Sequence, residues 1–233
     1  MVIVNKHLPP EIIARLGEFA DNIICAPEAA TLPKGLKAHP DMLMHLSPDG
    51  LICAPGICAE LNSLGVPAQG GCADPAAEYP ADIRYNCFHI GGALICNRRH
   101  TDRAITEVYE RRGMPIYDCR QGYASCSTLR MPGAVITADT GIASACEKAG
   151  AKVMLISPGG IRLDGYDYGF IGGCGGYVAG RMLLFGDVRT HPNGERIAEF
   201  CRVRGVEVVS LSGGTLTDYG GMTELPRITP SPI

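Results

Sequence analysis

Apolar positions along the chain recur in one order: a short continuous apolar run, a stretch with helical spacing, a second apolar run and then glycines. The copy at residues 92–118 is the clearest. Residues 93–96 read as a buried strand, and Ile105, Val108, Tyr109 and Arg112 fall at i, i+3, i+4 and i+7 of a helix that Gly113 stops. Residues 114–118 then make a second strand. The same order returns at 133–160, at 180–214, in shorter form at 50–71, and at the N-terminus, where Val2-Ile-Val-Asn5, a helix opening at Pro9-Pro10 and Asn22-Ile-Ile-Cys25 follow one another. About five units at a spacing of roughly 40 residues lie in the length range of propeller blades and solenoid repeats.

Four of these units are preceded by an extra, more polar segment: 41–45, 81–87, 123–127 and 169–174. The first unit lacks one, and the unassigned stretch Thr215–Met222 follows the last unit with no helix after it. Pairing that stretch beside Val2-Ile-Val closes the set and removes an open sheet edge. The pattern therefore predicts a single α/β domain over residues 1–233, a five-unit ββαβ α/β propeller closed by the C-terminal strand. Its units are roughly 1–30 plus 215–222, 39–71, 80–122, 123–160 and 168–214, with 223–233 as an irregular tail containing Pro226, Pro230 and Pro232. In such a ring the extra segments lie innermost, and their polar side chains converge on one central pocket.

Composition narrows the function classes. The net charge of −3, with charges interspersed, gives no polycationic face, so no nucleic-acid partner is expected. No apolar run approaches the ~18 residues of a membrane span, and the N-terminus has no signal-peptide pattern, so a cytoplasmic protein without a membrane partner is expected. Eleven cysteines, an odd number with no C-x-x-C pair, read as free thiols rather than a disulfide framework or a zinc ribbon. The glycine run Gly172–Gly176 is followed by a strand-like run, not the helix a dinucleotide fingerprint needs, and no cofactor is expected.

The inner segments hold the candidate chemistry. Asp82, Arg84 and Asn86 alternate, so on a strand they share one face and could bind a zwitterionic ligand, Arg84 taking a carboxylate and Asp82 an amine or guanidinium; a structural Asp82–Arg84 network is the alternative. Cys174, among four glycines, and Cys126, between Ser125 and Ser127, are the candidate nucleophiles, with small apolar filler as the alternative role. His45 is the candidate base, and a satisfied histidine beside Met42 and Met44 the alternative. Asp218 is a candidate for binding a cationic group. Together with Cys126, Cys174 and His45 it could also hold a metal, although no ligand spacing assigns one.

A ring of five ββαβ units closed by a C-terminal strand, with polar residues on the innermost segments, resembles the pentein or guanidino-group-modifying enzyme superfamily. That superfamily includes arginine deiminase, dimethylargininase, agmatine deiminase and amidinotransferase. The resemblance covers nearly the whole chain through the repeat. The superfamily's chemistry is Cys-thiolate attack on an amidino carbon, and this chain resembles a branch that lacks the usual C-terminal His-Cys and so does not inherit that mechanism as it stands. The superfamily's C-terminal Gly-Gly-x-x-His-Cys-like segment corresponds to Gly213-Gly214-Thr215-Leu216-Thr217-Asp218, which puts Thr217 at the histidine and Asp218 at the nucleophile. Three functions follow as expectations. One is a small-molecule enzyme, or enzyme-like protein, acting on an amino-acid or guanidino compound. The others are a non-catalytic ligand-binding relative and a metal-dependent hydrolase.

Overall fold

Each middle strand reads as a continuous apolar run because it is covered on both faces. In the computed structural model, which describes residues 1–226, these are β1 (Val2–Asn5), β4 (Gly50–Cys53), β7 (Ala93–Cys96), β10 (Ala134–Thr137) and β13 (Arg181–Leu184), nearly all buried. Each middle strand pairs in parallel with an outer strand: β2 (Ile23–Ala26), β5 (Ala68–Gly70), β8 (Ile116–Asp118), β11 (Lys152–Leu155) and β14 (Glu207–Ser210). The crossover helices are α1 (Pro10–Leu16), α3 (Pro55–Ser63), α4 (Arg103–Arg111), α5 (Thr140–Lys148) and α6 (Gly194–Arg202). On its other side each middle strand pairs antiparallel with an inner strand: β3 (Met44–Ser47), β6 (Phe88–Ile90), β9 (Thr128–Met131), β12 (Gly175–Val178) and β15 (Met222–Glu224). A short helix, α2 (Pro40–Leu43), leads into β3. Among the described residues this makes five three-stranded sheets and six α-helices, a mixed α/β architecture of repeated ββαβ units.

The helices carry the amphipathic faces their spacing predicts. In α4, Ile105, Val108 and Tyr109 are buried, and Asp102 caps the first turn by accepting from the Ala104 N–H at 3.0 Å. The inner hairpins turn on residues with positive φ, such as Gly91 and Gly92 at +59° and +79°. At Gly91 a Cβ would also lie 2.3 Å from the Ala149 carbonyl oxygen.

Consecutive units touch. β3 meets β6, α5 meets β7 and β8, β9 meets β12, β12 meets β15, and α2 meets both β1 and β15. The C-terminal segment does pair beside β1, but the strand begins only at Met222, the last residue of the predicted stretch: Val2 faces Glu224, Ile3 faces Thr223 and Val4 faces Met222. Residues 215–221 are not part of that strand. Thr217 makes a single bridge to Arg162, and Gly220 and Gly221, at φ of +79° and +68°, turn the chain before β15 begins. Of the predicted tail, Thr223 and Glu224 belong to the strand, and Pro230 and Pro232 lie outside the described residues.

Candidate functional site

The polar inner segments are turns, not strands. Residues 40–43 and the stretch Ile171–Cys174 are helical turns immediately before an inner strand, and Ala81–Ile83 is a helical turn four residues short of one. This overturns the shared face expected for Asp82, Arg84 and Asn86. The Asn86 N–H closes back on the Ile83 carbonyl at 3.0 Å, so the alternation of a strand never applies and the three side chains separate. Asp82 accepts a hydrogen bond of 2.6 Å from the Tyr123 hydroxyl, and its other oxygen has no partner. The Arg84 carbonyl holds the Asp102 N–H, while Arg84 Nε is buried without an acceptor.

The five residues two positions before the inner strands are Met42, Asn86, Cys126, Gly173 and Gly220, at equivalent places in the five units. Three of them meet. Asn86 Nδ2 lies 2.8 Å from Cys126 Sγ and 3.1 Å from Met42 Sδ, and Asn86 Oδ1 accepts from the Ser125 and Cys126 N–H groups at 2.7 and 3.2 Å. At the other two positions glycine makes room. A Cβ on Gly173 would sit 1.7 Å from Asp218 Oδ1, and one on Gly220 would sit 2.4 Å from His39 Cβ. Asp218 and His39 fill what would otherwise be a void.

Asp41, Asp218 and His39 form the ionisable heart of this cluster, each less than a tenth exposed. His39 Nδ1 lies 3.8 Å from Asp218 Oδ1 and 4.0 Å from Asp41 Oδ1. Asp218 accepts from the Phe170 and Gly220 N–H groups, both at 2.9 Å. Neither Asp41 oxygen has a hydrogen bond of sound geometry, although the Cys126 thiol lies close enough to pull its pKa down. Burial, opposed by Cys126 and Arg130, raises Asp41 to about 6. Burial and then the charge of Asp41 raise Asp218 to about 7. The two carboxyls therefore titrate as a pair across neutral pH. Burial pushes His39 down to about 4, so its ring is neutral there.

The candidate nucleophiles are electrostatically unlike reactive thiols. Cys126 is pushed well up by burial and by the facing Asp41 and Asp218. Cys174 is raised by burial and Asp218, and donates its thiol to the Phe170 carbonyl at 3.3 Å. The glycines around Cys174 do not open space for a ligand: a Cβ on Gly172 would meet the Ser125 carbonyl oxygen at 2.3 Å, and one on Gly175 the Leu183 carbonyl oxygen at 2.0 Å. Neighbouring backbone occupies that room. His45 has the role of a satisfied core histidine. Its Nδ1 lies 3.1 Å from the Cys87 carbonyl, which can only accept, so Nδ1 carries the proton and Nε2 accepts from the Tyr109 hydroxyl at 2.9 Å. Burial holds its pKa near 3, and neither nitrogen is left for proton transfer.

Sequence reasoning placed Asp218, Cys126 and Asn86 in this cluster and missed His39, Asp41 and Arg130. Asp41 stood in a polar inner segment. The available signal was a carboxylate three residues before an inner strand. A row of aromatic rings runs outward from Asp82. Tyr123 lies 5.9 Å from Phe170 and 6.1 Å from Tyr79, Phe170 lies 6.0 Å from Tyr168, and the outermost rings, Tyr79 and Tyr168, are about half exposed. Among the described residues no group of three His, Cys, Asp or Glu side chains is arranged to hold a metal ion. All eleven cysteines are free, and no helix of the described residues is long and apolar enough to cross a membrane.

Fold and site together define a mixed α/β protein of five repeated sheet units whose inner turns enclose a buried acidic cluster. The chain belongs to a family of unknown function, DUF6873, whose model matches residues 3–223. No curated protein and no solved structure matches the chain.

Proposed function

We propose that the five units close into a ring, the α/β propeller of the pentein superfamily, and that the cluster at its centre binds a small cation of the amino-acid or guanidino class. Closure is supported by the β15–β1 pairing and by the contact of each unit with the next. One observation carries the ligand class: both Asp41 carboxylate oxygens are buried without a hydrogen-bond partner, beside a second carboxylate. Leaving a buried polar group unpaired costs about 1–3 kcal/mol, more for a charge. An ammonium or amidinium supplies both the missing donors and the opposite charge. Its arrival would lower the pKa values of Asp41 and Asp218, so binding releases protons and tightens as pH rises from 6 to 8. Eleven free thiols suit a reducing, cytoplasmic setting.

A second reading, catalysis through Cys126, is favoured by the position of its Sγ between Asn86 and the Asp41 side. A bound cation would lower the thiol pKa. Sγ could then bond to an amidino carbon, with Asp41 taking the thiol proton and returning it to the departing amine. Thermal denaturation of the full chain with arginine, agmatine and guanidinium at pH 8 tests the binding, alongside iodoacetamide mapping of the cysteines. Stabilisation by arginine or agmatine, with slower labelling of Cys126, supports the proposal, and ammonia or urea release adds catalysis. If no compound of the class raises the melting temperature, the binding proposal fails.

A further inference from the structure

A cavity of about 180 Å³ lies between the fourth and fifth units and is not lined by Asp41, His39 or Asp218. Its size exceeds the ~150 Å³ of an apolar cavity known to hold benzene, so it can take one ring or a branched chain with a short polar extension. Ile156, Ile161, Tyr168 and Phe170 supply an apolar and aromatic wall. Phe170 also stands between this space and the acidic cluster, since it lines the cavity while its backbone N–H donates to Asp218.

The polar groups facing the cavity are few and specific. Ser127 is 4% exposed and its hydroxyl has no hydrogen-bond partner, an unmet demand at the cavity wall. Asp139 is the one charged side chain in the lining. Its Oδ1 caps α5 by accepting from the Ile142 N–H at 2.8 Å, which leaves Oδ2 free to face a ligand. With a carboxylate, no lysine or arginine in the lining, and two aromatic rings packed edge to face, the cavity favours positive charge.

We infer that this chamber is a binding site for a small organic monocation with a compact apolar body, an aralkylamine in size and charge. The ammonium would pair with Asp139, the body would pack on Ile156 and Ile161, and Ser127 would gain its missing hydrogen bond. This inference is independent of the role proposed for the central cluster.

Titration calorimetry of the full chain with benzylamine, benzyl alcohol and benzoate tests it. Benzylamine should bind about tenfold more tightly than benzyl alcohol, as expected for one charge-assisted contact, and benzoate more weakly than both. Asp139→Asn, which keeps a side-chain oxygen for the helix cap, should erase the preference for benzylamine. Ile161→Trp should fill the chamber and abolish binding of both while leaving any effect of guanidinium at the centre unchanged. Asp139→Asn alone decides the matter if the larger side chain prevents folding. Absence of benzylamine binding, binding no tighter than that of benzoate, or an affinity unchanged by Asp139→Asn would overturn the inference.

Discussion

Replacing Asp218 by Asn should raise stability strongly at pH 8 and only slightly at pH 5. In the native chain burial, reinforced by Asp41, moves this carboxyl from 3.8 to about 7. Between those values the folded state holds a proton that the unfolded state has lost, so stability falls as pH rises across that window. At ~1.4 kcal/mol for each pH unit over about three units, the buried charge costs on the order of 4 kcal/mol above pH 7. Asn removes that cost but loses one acceptor for the Phe170 or Gly220 N–H, worth about 1 kcal/mol.

The net gain at pH 8 is then about 3 kcal/mol, or about 6–12 °C in melting temperature for a chain of this length. The histidines act in the opposite direction. His39 and His45, pushed by burial to about 4 and about 3, stay neutral when folded but are protonated when unfolded below 6.5, so their contribution grows as pH rises towards 6.5. Between pH 4 and 6 they offset Asp41 and Asp218 in the native protein, and removing Asp218 unmasks them. Urea denaturation followed by circular dichroism at pH 5, 6.5 and 8 measures this. Parallel pH profiles for the two proteins would refute the reasoning.

Gly173→Ala should cost about 4 kcal/mol or more, because the new methyl drives Asp218 off the Phe170 and Gly220 N–H groups; a shift of the urea midpoint equivalent to under ~1 kcal/mol would contradict the packing described. Adding Asp218→Ala to that variant should recover part of the loss. His45→Phe should destabilise by about 2–4 kcal/mol by stranding the Tyr109 hydroxyl and the Cys87 carbonyl, yet leave ligand-induced thermal shifts intact. Loss of ligand response in a folded His45→Phe protein would return that histidine to the binding site.

Much of the architecture was legible in local pattern. Runs such as Ala93–Cys96 must be covered on both faces, Ile105, Val108 and Tyr109 fall on one side of a helix, and a glycine stop recurs after the helix of unit after unit, so the five units follow from the sequence alone. The same pattern placed the C-terminal strand beside Val2–Asn5, missing its start because Gly220 and Gly221 delay it. What tertiary structure alone decided is how the inner turns meet. Asp82, Arg84 and Asn86 alternate in sequence but diverge in a helical turn, whereas Asp41, Asp218 and His39 gather although Asp41 and Asp218 are 177 residues apart. Periodicity reports which side of an element is buried, not what faces it there. The pKa of Asp218 and the unmet hydrogen bonds of Asp41 depend on that opposing surface, down to two glycines whose missing side chains leave the space those groups occupy.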